Sequence, residues 1–82
     1  MSLVVECDYD YMYAIKKVIE KSLTSFNLLY DTEIQMNYKL NDATIRVRSP
    51  NCLDDDLLRI TLQSVSTSII NSGIKFKSIK FA

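Results

Sequence analysis

The sequence predicts an α+β domain in which two helices cover one face of an antiparallel β-sheet. Two observations carry this prediction: a pair of runs that alternate apolar and polar residues across a short turn, and two longer segments whose apolar residues recur with helical spacing. The chain has 82 residues, of which 48% are hydrophobic and 24% charged, which is typical of one small globular domain over residues 1–82.

The first half of the chain opens with a strand and a helix. The run SLVVEC indicates a strand at about residues 2–8, and Asp8 or Asp10 is expected to cap the helix that follows. From Tyr11 to about Phe26 the apolar residues keep helical spacing while lysines and a glutamate occupy the other side. This pattern predicts an amphipathic helix.

Two alternating runs, TEIQMNYKL and ATIRVRS, predict a β-hairpin. The dipeptide Asn41–Asp42 between them is a turn signal. Alternation assigns every second side chain to the buried face. The positions expected to point inward are Ile34, Met36, Tyr38, Leu40, Ile45 and Val47.

A second helix follows the hairpin, and its start is marked several times. Pro50 ends the preceding strand, and Asp54 is expected to be the N-cap. Leu53 and Leu58 have the spacing of a hydrophobic staple around that cap. Gly73, the only glycine, stands where a helix closes.

The closing run IKFKSIKF predicts a last strand with a change of phase. Ile74 and Phe76 alternate with lysines, but after Ser78 the alternation shifts, so we expect either a bulge at that residue or a segment that leaves the sheet. The order strand, helix, strand, strand, helix, strand is that of the ferredoxin-like split βαβ arrangement.

No catalytic, cofactor-binding or metal-binding residues are predicted. The chain has no histidine, a single glycine, and two distant cysteines, Cys7 and Cys52, which we interpret as buried structural thiols in a reduced, cytoplasmic protein. Asp54–Asp56 fits the start of a helix better than a cation site. A small enzyme of acylphosphatase type is the weakest alternative, because no loop resembles its arginine-bearing phosphate site. No run of apolar residues approaches the length of a membrane span.

Basic residues gather towards the C-terminal half, although the net charge is zero. Residues 43–82 carry six basic and three acidic side chains, against four and seven in residues 1–42. The candidates for RNA phosphate contact are Arg46, Arg48, Lys75 and Lys77. The other interpretation is a solvated sheet face. The predicted open face carries no aromatic residue, which disfavours recognition by base stacking.

The helices offer a candidate surface for a protein partner. Tyrosines and a methionine crowd the start of the first helix, and the second is rich in serine and threonine and poor in charge, which permits close approach of another helix. The predicted interface residues are Tyr11, Met12, Leu57, Ile60, Ser64 and Thr67. An ordinary serine-rich helix is the alternative.

The chain resembles the small dimerisation subunit of the KEOPS complex, the family that includes the human CTAG/LAGE-type proteins. The resemblance rests on VVECDYDYMYA ending at Ala14, on ATIRVRSP, and on LLRITLQSVSTSI with its Leu58-Arg59 pair and Ser64. It covers about residues 3–70. The long NCLDDD connection and the added C-terminal strand differ from the family pattern and suggest a divergent paralogue.

The resemblance implies a non-catalytic scaffold. KEOPS transfers a threonylcarbamoyl group to tRNA, and its chemistry belongs to a separate catalytic subunit with an ATPase-like fold. The small subunit of this family pairs through its sheet with itself or a paralogue, packs its helices on the catalytic subunit, and helps to hold tRNA. The alternative is an RRM-like protein subunit of ribonuclease P or of another small RNA–protein complex, which would account for the basic closing strand.

Overall fold

The computed structural model of the chain describes residues 1–24, 31–37, 39–49 and 54–82. Its elements are β1 (Leu3–Asp8), a 3-10 turn (Tyr9–Tyr11), α1 (Met12–Leu23), β2 (Asp31–Asn37), β3 (Asp42–Arg48), α2 (Asp55–Asn71) and β4 (Ser78–Phe81). The strands form one antiparallel sheet in the order β2-β3-β1-β4, and the two helices pack together. The predicted α+β fold is confirmed, and the C-terminal segment does supply a fourth strand.

The core lies between the two helices and one face of the sheet. The buried strand residues are Leu3, Val5, Cys7, Ala43, Ile45 and Val47. The buried helix residues packed against them are Met12, Ile15, Ile19, Leu23, Leu58, Leu62, Val65 and Ile69. Because side chains alternate along a strand, the remaining residues of β1 and β3 point to the other side of the sheet, which we call the open face.

The boundaries of α2 agree with the sequence. The backbone N–H of Leu57 donates to Asp54 Oδ1 at 3.1 Å, so Asp54 is the predicted N-cap. Gly73 follows the C-cap Ser72 with a φ of +75°, a left-handed conformation that glycine adopts without steric cost. Pro50 and Leu53, and with Leu53 the expected hydrophobic staple, lie outside the described residues.

The start of α1 differs from the prediction. The helix begins at Met12, after the 3-10 turn, and its N-cap is Tyr11 rather than an aspartate. Asp8 makes no side-chain cap hydrogen bond, because its carboxylate instead faces the ammonium group of Lys77 at 3.3 Å. Phe26, the expected end of the helix, lies outside the described residues.

The predicted hairpin is confirmed by the pairing of β2 with β3. Asn41 occupies the turn with a φ of 55°, a conformation that asparagine tolerates better than most residues. Asp42 is the first residue of β3 rather than part of the turn. The expected inward position of Leu40 is wrong: the strand ends at Asn37, and Leu40 lies in the turn with 67% of its side chain exposed. Tyr38 is outside the described residues.

A bulge-like contact explains the change of phase before β4. The N–H of Lys77 donates to the carbonyl oxygen of Glu6 at 2.7 Å, although Glu6 faces Ser78 in the strand register. Two consecutive residues thus oppose one, as in a β-bulge. Ile74 and Phe76 precede the strand, so their expected strand positions are wrong.

Candidate interaction surfaces

The register identifies the backbone groups that point away from the sheet at β2. Ser2 and Ala82 exchange two backbone hydrogen bonds, so the backbone groups of Ser2 point towards β4. Because these directions alternate along an antiparallel strand, the backbone groups of Val4 and Glu6 also point towards β4, and those of Leu3, Val5 and Cys7 point towards β3. The same alternation carries across β3. The N–H and C=O groups of Thr32, Ile34 and Met36 therefore point to the outer edge of β2, where they meet no other described strand.

The two edges of the sheet differ in how well they are protected. β4 has four residues, includes Lys80, and follows the bulge-like contact, and all three features discourage pairing with another strand. β2 has seven residues and contains neither lysine nor proline. Its residue Met36 is 40% exposed. The edge at β2, on the outer side of the hairpin, is thus the less protected edge among the described strands.

The outer face of α2 is exposed and uncharged over most of its length. Leu57 and Ile60 are 41% and 55% exposed, and Ile70 near the other end is 57% exposed. No charged residue occurs between Arg59 and Lys75. Large apolar side chains on an exposed helix face are typical of a protein-binding surface when they occur together. The structure places the predicted interface residues Leu57, Ile60 and Thr67 at the surface and Ser64 half-buried beside them.

Part of the serine- and threonine-rich side of α2 packs against α1 of the same chain. The hydroxyl groups of Ser22 on α1 and Ser68 on α2 lie 3.3 Å apart, so the helix that approaches this side closely is α1. Thr61 is buried, and its hydroxyl donates to the carbonyl oxygen of Leu57 at 2.8 Å, which satisfies the polar group inside the core.

The start of α1 contributes less surface than expected. Met12 is 1% exposed and belongs to the core, because Met12, Ile15 and Ile19 form one helical stripe towards the sheet. Its assignment to a partner interface is therefore wrong. Tyr11 is half-buried and packs against the core, whereas Tyr13 is 61% exposed.

Lys77 is held on the open face by two carboxylates. Asp8 and Asp42 stand directly opposite each other on β1 and β3, and the ammonium group of Lys77 contacts both. The hydrogen bond to Asp42 is the main cause that raises the pKa of Lys77 above its ordinary value, and Asp8 adds to it. Two like charges facing each other across strands repel, so the single positive charge of Lys77 offsets part of this repulsion and links the segment before β4 to the sheet.

Other basic residues of the open face also have acidic neighbours. Arg48 lies 3.3 Å from Glu33, and Lys80 lies 3.7 Å from Glu6. Arg46 makes no ion pair within the described part of the chain. Its register partners are Glu33 on β2 and Val4 on β1, and Val4 is only 4% exposed although it lies on the open face. Arg46 and Lys80 stand opposite Val4 on the two neighbouring strands, and long basic side chains commonly lay their aliphatic stems along apolar surface.

The four predicted RNA-contact residues do not form one patch. Arg48 and Asp42, the partner of Lys77, are at opposite ends of β3, about 20 Å apart at the rise of a strand. Lys75 lies in the segment between Gly73 and β4, beside a cleft of about 450 Å³. Arg46 and Arg48 are on β3, whereas Lys75 and Lys77 precede β4, which β1 separates from β3.

Cys7 is a buried thiol beside the Lys77 cluster. Burial is the main cause that raises its pKa, and the carboxylate of Asp8 adds to the effect. A raised pKa keeps the group protonated and unreactive near neutral pH. Cys52 lies outside the described residues. The described residues contain no cluster of three or more potential metal ligands, and none of their helices has the length and apolar character needed to cross a membrane.

No protein-family model matches the chain, and neither does any curated protein or solved structure. The fold is therefore established by the topology alone.

Two features of these surfaces could not be predicted from the sequence. Ile70 lies on the exposed side of α2, yet by spacing alone it could not be separated from the neighbouring core residue Ile69. The pairing of Asp8 with Asp42 depends on strand register, which the sequence does not specify. The only available signal for the cluster was the position of Lys77 just before the change of phase.

Proposed function

We propose that this chain is a non-catalytic interaction subunit that pairs with a second copy or a paralogue through β2. The observation that carries the proposal is the edge of β2, the less protected of the two sheet edges among the described strands, whose outward backbone groups belong to Thr32, Ile34 and Met36. A second strand placed there satisfies these groups and extends the sheet.

β2 is compatible with pairing to itself. An antiparallel two-fold arrangement centred on Ile34 puts that residue opposite Ile34 of the second copy. It also puts Glu33 opposite Gln35 of the second copy, so no like charges face each other. Within each chain Glu33 already has Arg48 as a neighbour. The arrangement is a closed, two-fold dimer.

Proline at position 36 tests this edge, because the N–H that it removes points away from β3. The experiment uses the full chain carrying Ile60→Lys, so that the apolar face of α2 does not contribute to association. We expect a dimer in sedimentation velocity that Met36→Pro reduces to a monomer. Met36→Ala keeps the N–H and should keep the dimer. A dimer that survives Met36→Pro, or an Ile60→Lys chain that is monomeric throughout, contradicts self-pairing through β2.

The assembly that we propose for this subunit is a tRNA-modifying complex of KEOPS type in the cytoplasm, with the helices bound to its catalytic subunit. The proposal is supported by the resemblance and by the exposed residues Leu57 and Ile60 on α2. The chain would contribute surface and no chemistry, and tRNA phosphates would be contacted by the assembled complex.

Affinity purification from native extract with mass spectrometry tests this assignment. We expect the catalytic subunit of a threonylcarbamoyl-transferring complex, and we expect its loss with Leu57→Glu and Ile60→Glu. Leu40→Glu, at a turn residue that is 67% exposed, is the matched control and should retain it. Recovery of ribonuclease P proteins instead would overturn the KEOPS assignment.

One observation favours the ribonuclease P alternative: the sheet has a fourth strand, in the order β2-β3-β1-β4. An RRM-like sheet binds RNA by stacking bases on aromatics of its open face. The outward positions described here are not aromatic: Val4, Glu6, Asp8, Glu33, Gln35, Asp42, Thr44, Arg46, Arg48, Ser78 and Lys80. Base-specific RNA binding by the isolated chain would support this alternative over a scaffold.

A further inference from the structure

The exposed face of α2 has a self-complementary pattern. Ile60, Gln63, Thr67 and Ile70 are all exposed and are successively three, four and three residues apart. At about 100° per residue they form a stripe nearly opposite the buried residues of the helix. The spacing reads the same in both directions along the helix, with an isoleucine at each end and a polar pair in the middle.

The middle of the stripe is less polar than its sequence implies. The Thr67 hydroxyl donates to the carbonyl oxygen of Gln63 at 3.0 Å. This internal hydrogen bond satisfies the hydroxyl and leaves the methyl group of Thr67 available for packing. Gln63 therefore supplies the one long polar side chain at the centre of the stripe, and no charge is present there.

We propose that this stripe packs antiparallel against the same stripe of a second copy. About a two-fold axis near residue 65, Ile60 of one chain meets Ile70 of the other, and Gln63 meets Thr67. The arrangement also places Arg59 beside the last turn of the opposite α2, where the helix dipole favours a positive charge. In this arrangement the contact between the two copies contains no charged residue.

The interface is small, because one helix face buries little area compared with a standard protein interface. The self-association is therefore weak and depends on concentration. The stripe shares Ile60 and Thr67 with the surface that we assign to a larger subunit, so the two contacts exclude each other. This competition rests on the proposed function, whereas the self-pairing does not.

A charge-pair experiment tests the antiparallel geometry directly. It uses the full chain carrying Met36→Pro, in which pairing through β2 is blocked. We expect this chain to dimerise weakly in sedimentation velocity. Either Ile60→Lys or Ile70→Glu alone should abolish the dimer, because each chain then buries a charge against an isoleucine at both ends of the contact.

An equimolar mixture of the two variants should restore the dimer. One end then pairs the lysine at position 60 with the glutamate at position 70, and the other end keeps two isoleucines. Leu40→Lys is the matched control, since it adds the same charge at an exposed turn residue, and should leave the dimer unchanged.

In the Met36→Pro background, three results overturn the proposal: a chain that is monomeric at every concentration, a dimer that persists after Ile60→Lys is added, or a mixture no more associated than its components. The first and third results leave the proposed pairing through β2 untouched, because that pairing is measured in the chain that carries Ile60→Lys alone. The second result counts against both pairings, because neither surface then accounts for the dimer.

Discussion

Alanine substitutions at Ile60 and Leu62, two positions apart on α2, should differ in their effect on stability, because one residue is on the exposed side of the helix and the other on its core side. Leu62 is 1% exposed, whereas Ile60 is 55% exposed. Replacing a buried leucine by alanine removes transfer free energy and leaves a cavity, which costs about 2–5 kcal/mol. Replacing a surface residue usually changes stability by less than about 0.5 kcal/mol. Leu62→Ala should therefore be far more destabilising than Ile60→Ala.

The size of the domain makes this difference easy to measure. A chain of 82 residues has a total unfolding free energy of roughly 4–12 kcal/mol at the usual stability per residue. A loss of about 2 kcal/mol lowers the melting temperature of such a domain by roughly 8–16 °C. If the total stability lies at the low end of its range, a Leu62→Ala cost of about 5 kcal/mol leaves little folded protein at room temperature.

Urea unfolding followed by circular dichroism gives the comparison. It should be done with both variants in the Met36→Pro background and at low concentration, so that association does not add to stability. An Ile60→Ala cost that approaches the Leu62→Ala cost would refute the reasoning. Ile60 would then belong to the core, and neither the partner surface nor the self-pairing stripe would remain.

Three further predictions follow from the described contacts. Asp54→Ala should lower the free energy of unfolding by about 1 kcal/mol, because the N–H of Leu57 loses its cap; Asp54→Asn should retain most of it, and equal losses would argue against capping. Lys77→Met should flatten the alkaline pH dependence of stability. The pKa of Lys77 is raised on folding, so the contribution of Lys77 to stability is complete below pH 10.5 and is lost as the pH rises through the folded pKa. The free energies of unfolding of wild type and Lys77→Met at pH 9 and pH 12 measure this, and the same change with pH in both proteins would contradict it. Arg46→Met keeps an unbranched aliphatic side chain but removes the charge, so it should flatten the salt dependence of tRNA binding by the proposed complex by about 0.9 in log–log slope. Arg48→Met should have less effect because Glu33 already neutralises Arg48, and unchanged slopes in both would leave the arginines as solvated strand residues.

The local signals of the sequence predicted most of the secondary structure. Asp54 and Gly73 mark α2 correctly because capping depends on a few adjacent residues. The start of α1 was harder to predict, since Asp8 is as good a cap by type as Asp54. The carboxylate of Asp8 instead forms an ion pair with Lys77, which is distant in sequence, and α1 starts without a side-chain cap.

The candidate surfaces were less predictable, because exposure depends on how elements pack. Met12 and Leu57 are both apolar residues near the start of a helix, yet one is buried and the other exposed. The serine-rich side of α2 indicated close approach of a helix correctly, but the helix at Ser68 is α1 of the same chain. Composition alone does not show whether the helix that packs against a serine-rich side belongs to the same chain or to a partner.

The two self-complementary surfaces that we propose would together restrict the assemblies that this chain can form. A two-fold dimer through the β2 edge and another through the α2 stripe would either close into a tetramer whose two-fold axes are perpendicular or continue into an open chain. Either outcome would appear in the wild-type protein as species larger than a dimer at high concentration. Met36→Pro and Ile60→Lys should each stop association at the dimer, because each removes one of the two surfaces. The combined variant should be a monomer that remains folded, since Met36 is 40% exposed and Ile60 is 55% exposed, and neither belongs to the core. A combined variant that still dimerises would show that a third surface exists, and would place the pairing of this chain elsewhere.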